Sequence, residues 1–275
     1  AVYKSNLKKI ELHNAQHLPW TMGVNEFADM TEDEFGFKFC GCAKDPKTRA
    51  ARSTPIYGDA PERVDWREQG AVTPVKDQAS CGSCWSFSTT GTVEGAYFVH
   101  SGKLVSLSEQ QLVDCATEPE YEARGCSGGW PWSVLGYVQK KGLCTEEDYP
   151  YHGKDEDCKD DKCTVAVQTA GEVQLPQGDE ASLANAVAMT PVSIVLDASA
   201  MQFYKDGIIT KCSENINHAV LAVGYDTDKE TGIKYWIVKN SWGENWGEKG
   251  YCRIEKDVGG MGRCAITYSS VYPTF

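Results

Sequence analysis

Gln78-Ala79-Ser80-Cys81-Gly82-Ser83-Cys84-Trp85-Ser86-Phe87-Ser88 reads as a turn of small residues that runs into a helix. Apolar or small residues then recur at helical spacing: Trp85, Ser88, Thr92 and Ala96 along one side, Phe87, Gly91 and Phe98 along another. Cys84 falls in the first turn of that helix. Outward-pointing backbone N–H groups and the positive end of the helix dipole gather there, and both favour a thiolate over a thiol. The thiolate is the nucleophilic form, so the position suits sulfur chemistry. The four residues Cys81-Gly82-Ser83-Cys84 alone fit half a zinc site, a redox pair, or one structural cysteine beside a reactive one.

The wider string Cys81-Gly82-Ser83-Cys84-Trp85 matches C-G-[SA]-C-[WY], the signature of papain-like and cathepsin cysteine proteases. Such a nucleophile needs a base and an orienting amide far downstream. His218 lies 134 residues beyond Cys84, in Asn217-His218-Ala219-Val220, and Asn240 lies 156 residues beyond it, in Lys239-Asn240-Ser241-Trp242-Gly243. Over nearly all of its length the chain resembles a cathepsin L-like member of the papain family. The resemblance implies an α+β, papain-like fold of two lobes, one helical and one like a β-barrel, with a cleft between them. It implies Cys84 as nucleophile, His218 as base and acid, and Asn240 as the group that orients the imidazole. Trp242 would cover that hydrogen bond, and Gln78 with the Cys84 backbone N–H would hold the oxyanion. This chemistry uses no metal and no cofactor.

Residues 1–59 have a different character. Residues 1–16 show helical periodicity, with Asn6, Ile10 and Asn14 four apart on one face. Thr31-Glu32-Asp33-Glu34 reads as a capping box. By resemblance, Tyr3, Asn6, Ile10 and Asn14 match the last part of the cathepsin L-type prodomain helix motif. Gly23-Val24-Asn25-Glu26-Phe27-Ala28-Asp29 matches its second motif, G-x-N-x-F-x-D. The chain then starts partway through a helical inhibitory propeptide, and this segment crosses the active-site cleft in the non-productive direction. The crossing segment aligns with Phe39-Cys40-Gly41-Cys42. Two cysteines there are unusual for the family; Cys40 or Cys42 would either bond Cys84 as a redox lock or serve as small fillers. Residues 44–58 read as an exposed linker suited to cleavage. Ala60-Pro61-Glu62-Arg63-Val64-Asp65-Trp66 resembles a mature N-terminus, giving a peptidase domain over 60–275.

Within it, about 67–170 reads as helix-rich and about 171–268 as strand-rich. Helices are predicted at 107–115, at 131–141 (with Trp132, Leu135, Val138 and Gln139 on one face) and at 182–190. Strands are predicted at 192–196, 219–224, 235–239 and 250–254. The resemblance places Gly128 and Gly129 against substrate backbone and Trp130 at the rim of the S2 and S3 subsites. It lines S2 with Pro131, Val195, Ala219 and Ser269. Neutral Ser269 at the pocket floor implies hydrophobic or aromatic P2 residues. The resemblance also implies bridges Cys81–Cys126, Cys115–Cys158 and Cys212–Cys264. Cys144 and Cys163 are a candidate fourth bridge, and Cys252 reads as a buried thiol.

The 275 residues carry a net charge of −12, all of it after residue 59, where 31 acidic side chains face 19 basic ones. That balance argues against a nucleic-acid partner. No run of 18 apolar residues occurs, so no membrane span is expected. Twelve cysteines point to the secretory pathway, ending in a lysosome- or vacuole-like compartment or outside the cell. The expected partners are protein or peptide substrates, the chain's own propeptide and cystatin-like inhibitors, for a monomer. Three other classes compete. A thiol–disulfide oxidoreductase would not need Gln78, His218 or Asn240. A silent binding protein of the same family usually loses the nucleophile or the base, and all four catalytic positions are intact here. A peptide ligase would share the acyl-enzyme and differ in its acceptor.

Overall fold

The computed structural model describes residues 1–41 and 53–275, so Cys42 and residues 44–52 of the linker lie outside the described residues. The N-terminal segment forms helix α1 (Val2–Asn14), strand β1 (Trp20–Met22) and helix α2 (Glu32–Phe39). The face of α1 that carries Asn6, Ile10 and Asn14 does the docking. Ile10 is buried. Asn6 Nδ2 donates to the carbonyls of Ala28 and Met30, at 3.0 and 2.8 Å. The Asn14 amide exchanges two 2.9 Å hydrogen bonds with the Met22 backbone. At the start of α2, Thr31 Oγ1 accepts from Glu34 N–H and the Glu34 carboxylate accepts from Thr31 N–H, which completes the capping box.

The rest of the chain runs β2 (Val64–Asp65), α3 (Cys84–Ser101), α4 (Glu109–Cys115), α5 (Pro131–Lys141), β3 (Leu143–Cys144), β4 (Val165–Val167), β5 (Gly171–Gln174) and α6 (Glu180–Met189). Six further strands follow: β6 (Val192–Leu196), β7 (Tyr204–Ile209), β8 (His218–Thr227), β9 (Lys234–Lys239), β10 (Tyr251–Glu255) and β11 (Ser270–Thr274). One sheet has the order β1-β7-β10-β9-β8-β6-β11-β5, with β2 also on β8, while β3 and β4 form a separate pair. β10 and β7 are parallel, and the other pairs are antiparallel. The N-terminal segment thus adds a strand, β1, to the edge of the sheet.

Helix α3 is the axis of the molecule, buried on nearly every side from Cys84 to Ala96. It lies so close to β8 that a Cβ on Gly91 would stand 2.9 Å from the Leu221 side chain. Several elements differ from the sequence expectation in detail: α4 begins at Glu109, two residues late, because Ser108 caps it through Gln111 N–H, and β8 runs from His218 to Thr227. α5 spans the predicted residues, but its inner face is Val134, Leu135, Tyr137 and Val138, while Trp132 is half-buried and Gln139 is exposed. The Gln139 amide reaches the Ala170 carbonyl along the surface instead. α6 begins two residues early because Asp179, not a later residue, caps it through Ser182 N–H. The bridges Cys81–Cys126, Cys115–Cys158, Cys144–Cys163 and Cys212–Cys264 are all formed. Each stabilises by about 2–4 kcal/mol through the loop it closes. Cys252 is buried outside these bridges. Among the described residues no helix is long and apolar enough to cross a membrane.

One apolar cluster joins Ile10, Trp20, Met22, Phe27 and Phe35 to Trp236, Trp242, Trp246 and the β6–β10 interior. The N-terminal segment is therefore packed as core, not laid on as a strap. His13 sits in this packing. Its ring lies 4.0 Å from that of Trp20, and Nε2–H donates to the Trp20 carbonyl at 3.2 Å. Burial holds its pKa below the ordinary value; the hydrogen bond to the Trp20 carbonyl opposes this in part, and the charge of Lys211 adds a smaller lowering. The sign follows: the released segment takes up a proton as pH falls through about 6.5, whereas the docked one resists it. Acid therefore favours release. His13→Gln is expected to weaken the pH dependence of docking below pH about 6.5, read as the denaturant midpoint for segment release across pH.

Candidate active site

Cys84 is the first residue of α3 and is fully buried. The turn before it is fixed by the Cys81–Cys126 bridge and by Gly82 N–H donating to the Cys126 carbonyl at 3.0 Å. His218 opens β8 and Asn240 directly follows β9. These strands are antiparallel neighbours, so the start of one meets the end of the other. His218 Nε2–H donates to Asn240 Oδ1 at 2.8 Å, and both residues are buried. Asn240 Oδ1 also accepts from Ser241 N–H at 2.8 Å, which fixes the amide with its oxygen toward the ring. With Nε2 committed, Nδ1 is the imidazole nitrogen left for proton transfer. Trp242 stacks over His218 at 4.6 Å between ring centres, with the planes 27° apart.

The Cys84 sulfur accepts two backbone N–H groups, from Ala219 at 3.3 Å and from Gly41 at 3.1 Å. Donors aimed at a sulfur favour its charged form. Gln78 is also fully buried, and its amide is oriented by Ser241 Oγ–H donating to Oε1 at 2.6 Å. Its Nε2 donates to the carbonyls of Cys81 (2.8 Å) and Phe39 (3.2 Å). Trp242 Nε1–H donates to the same Phe39 carbonyl at 3.2 Å, and Gly129 N–H donates to the Gly41 carbonyl at 2.9 Å. Residues 39–41 of the N-terminal segment thus occupy this site through main-chain contacts. A Cβ on Gly41 would stand 1.9 Å from the Gly82 carbonyl oxygen, so only glycine fits so near the sulfur.

Val195, Ala219 and Trp130 lie in one apolar cluster with Cys84, and Pro131 and Ser269 are buried as well. The Ser269 carbonyl accepts from Val195 N–H at 3.1 Å. Trp130 is 1% exposed, with its ring 6.4 Å from that of Tyr268. Gly128 has φ +110, a conformation that a side chain would resist.

Two features of the site have no signature in the sequence. Tyr151 donates to the Gln78 carbonyl at 2.9 Å and shares a 2.6 Å hydrogen bond with Ser83, bracing the turn. Behind Asn240 lies a buried charge group drawn from four stretches of chain. Lys239 Nζ donates to Thr73 Oγ1 (3.0 Å), which donates to Glu94 (2.7 Å). Lys76 bridges Glu94 at 3.0 Å and Glu109 at 2.6 Å. Burial pushes Lys239 down to about 8 and Glu109 up to about 7. Among the described residues the one cluster of potential metal-ligand atoms is Cys115, Cys158 and Asp160, and both its sulfurs are in a disulfide.

Residues 60–274 match the family model described as papain family cysteine protease. The chain belongs to the papain family of cysteine proteases. Residues 1–35 match the model of the cathepsin propeptide inhibitor domain (I29). Cathepsin L of Sarcophaga peregrina is 42% identical over 99% of this chain and 85% of its own. The solved recombinant stem bromelain precursor is 37% identical, covers 100% of this chain and 90% of its own, and superposes with a TM-score of 0.90. Digestive procathepsin L 3 of Tenebrio molitor larval midgut gives 38%, the same coverages and a TM-score of 0.86. This papain-family protease therefore has the papain-like fold, hydrolyses peptide bonds, and carries a cathepsin-type inhibitor domain ahead of the peptidase domain, as a zymogen.

The crowding at Gly41 gives a direct test. Gly41→Ala is expected to cost about 1–3 kcal/mol of propeptide docking, so that self-inhibition weakens roughly ten- to a hundredfold. The measurement is peptide hydrolysis by intact zymogen at neutral pH, compared with the separately prepared propeptide as inhibitor.

Proposed function

We propose that this zymogen matures to a cysteine endopeptidase working through Cys84, His218 and Asn240. The observation that carries the reading is the His218–Asn240 hydrogen bond, buried beneath Trp242, in a site where two backbone N–H groups converge on the Cys84 sulfur. Cys84 attacks the scissile carbonyl as a thiolate paired with the His218 imidazolium. His218 then protonates the leaving amine, and water hydrolyses the acyl-enzyme. Asn240 holds the ring so that Nδ1 exchanges the proton. The Gln78 amide and the Cys84 backbone N–H receive the oxyanion. Phe39 is held on the Trp242 side and Gly41 on the Gly129 side. A substrate pairing with Gly128 and Gly129 on its N-terminal side would run the opposite way. The propeptide accordingly presents an N–H to the sulfur, which offers no carbon to attack.

Substrate reading follows from Pro131, Val195, Ala219 and Ser269 as the walls of S2, with the indole of Trp130 at the rim of S2 and S3. A neutral, apolar pocket favours Phe or Leu at P2 and gives Arg no counter-charge. The mature enzyme begins at or just before Ala60, after cleavage in the 44–58 linker. It acts as a monomer in a lysosome- or vacuole-like compartment or outside the cell, and cystatin-like proteins are its inhibitors. Four disulfides support the secretory route.

Two fluorogenic peptides, with Phe and with Arg at P2, test this reading before and after acid treatment of the zymogen. The expected outcome is hydrolysis of the Phe peptide after acid, abolished by Cys84→Ser or by a thiol alkylator. Preference for the Arg peptide would overturn the pocket assignment, and activity in Cys84→Ser would overturn the nucleophile. Ser269→Glu is expected to gain activity on the Arg peptide. Gln78→Ala is expected to lower kcat roughly a hundredfold, near 3 kcal/mol, with a smaller change in KM, as measured by steady-state kinetics.

A further inference from the structure

The peptidase reading leaves Cys40 without a task. It is a buried thiol, outside the four disulfides among the described residues, in the residue that precedes the amide seated on the nucleophile. We propose that Cys40 and Cys84 form a thiol–disulfide exchange site that takes a small-molecule disulfide, such as glutathione disulfide, and closes to a Cys40–Cys84 bond that locks the zymogen.

The reach is short. Gly41 N lies 3.1 Å from Cys84 Sγ, and the Cys40 Cα is one Cα–C–N step, about 2.4 Å, from that nitrogen. The sulfur is therefore at most about 5.5 Å from the Cys40 Cα, so closure asks for side-chain rotation and a shift of order 1 Å. The flanking backbone is held on both sides of Cys40: Gln78 and Trp242 clamp the Phe39 carbonyl, and Gly129 clamps that of Gly41. These clamps keep Cys40 beside the nucleophile in the docked state. Burial, then the neighbouring Cys84 and Asp197, push the Cys40 thiol up, so it stays protonated at rest. Cys84 makes the first attack.

The exchange balances in two steps. The Cys84 thiolate displaces one glutathione thiolate and becomes a mixed disulfide. Cys40, giving up its proton, then displaces the second. Two protein thiols are oxidised by two electrons, one glutathione disulfide is reduced, and two glutathione thiols leave with the two protons. Both sulfurs are buried, so the exchange runs as residues 39–41 lift, or during folding while the other four disulfides form. Acid loosens the non-covalent docking and leaves the S–S bond intact. Release of activity then requires acid and a thiol reductant together.

The zymogen is equilibrated with glutathione disulfide, alkylated at low pH, and mapped by non-reducing peptide mass spectrometry. The expected result is a Cys40–Cys84 peptide lost on reduction, and a Cys84–glutathione adduct in its place in Cys40→Ser. Acid-treated cross-linked zymogen should hydrolyse the Phe peptide only after reductant is added. A wild-type zymogen whose Cys84 is unmodified, carries glutathione, or is bonded to Cys42 would overturn the proposal. Cys40→Ala serves if Cys40→Ser fails to fold, and the wild-type map needs no variant. The activity readout rests on Cys84 being the nucleophile, whereas the map does not. A cross-link with no hydrolysis after reduction would therefore count against the peptidase reading and leave the exchange site standing.

Discussion

Trp242 stacks over His218 and meets Phe27 and Phe35 in near-perpendicular ring contacts, with centres 5.4 and 5.1 Å away. Its own edge meets Trp246 at 5.0 Å, and its N–H holds the Phe39 carbonyl. One side chain thus packs against the His218 ring and holds the inhibitor domain. A buried hydrogen bond such as that of His218 to Asn240 is stronger than one in water and expensive to leave unmade. The inhibitor therefore grips the same aromatic wall that the His218–Asn240 pair lies against. It cannot dock well on a molecule whose active site is not already assembled.

The two halves of the site are held in register by the charges behind it. Thr73, Lys76, Glu94 and Glu109 lie before or within the helical part, and Lys239 sits at the end of β9, next to Asn240. Buried ions are costly to desolvate, and removing one partner strands the others. The group is accordingly a poor source of stability and a strict gauge of position: it is satisfied only when β9 and α3 meet in one geometry. Asn240 inherits that placement from its neighbour in sequence.

Local features were legible before the fold. The Cys81–Trp85 string, the Thr31–Glu34 box and the Pro131 helix start all act within a few residues, so periodicity and capping expose them. β6 was legible because Val192–Leu196 is an unbroken buried run. β7 was not: Tyr204–Ile209 places Lys205, Asp206 and Gly207 in its middle, and no alternation survives. β11 was missed because Pro273 interrupts it, a residue that a strand tolerates where its nitrogen need not donate. The charge group was invisible for a different reason. Lys76, Glu94, Glu109 and Lys239 each look like surface residues in their own stretch, and only the tertiary fold buries them together. The same holds for Tyr151, whose hydroxyl finds Gln78 and Ser83 across the chain.

The pairing of β1 with β7 has a consequence for the enzyme once the inhibitor domain has gone. β7 then becomes the last strand of its sheet, with main-chain donors and acceptors turned to solvent. Such an edge invites a strand from another chain and leads toward self-association. The residues that hid β7 from the sequence reading are the ones that guard it. Lys205 and Asp206 put opposite charges on the rim, and Gly207, at φ +94, breaks the straight run that an incoming strand would need. The Trp20–Met22 strand meets this irregularity with a register shift of its own between Thr21 and Met22. The chain thus carries, inside a covered seam, the means to stay soluble after that cover is removed.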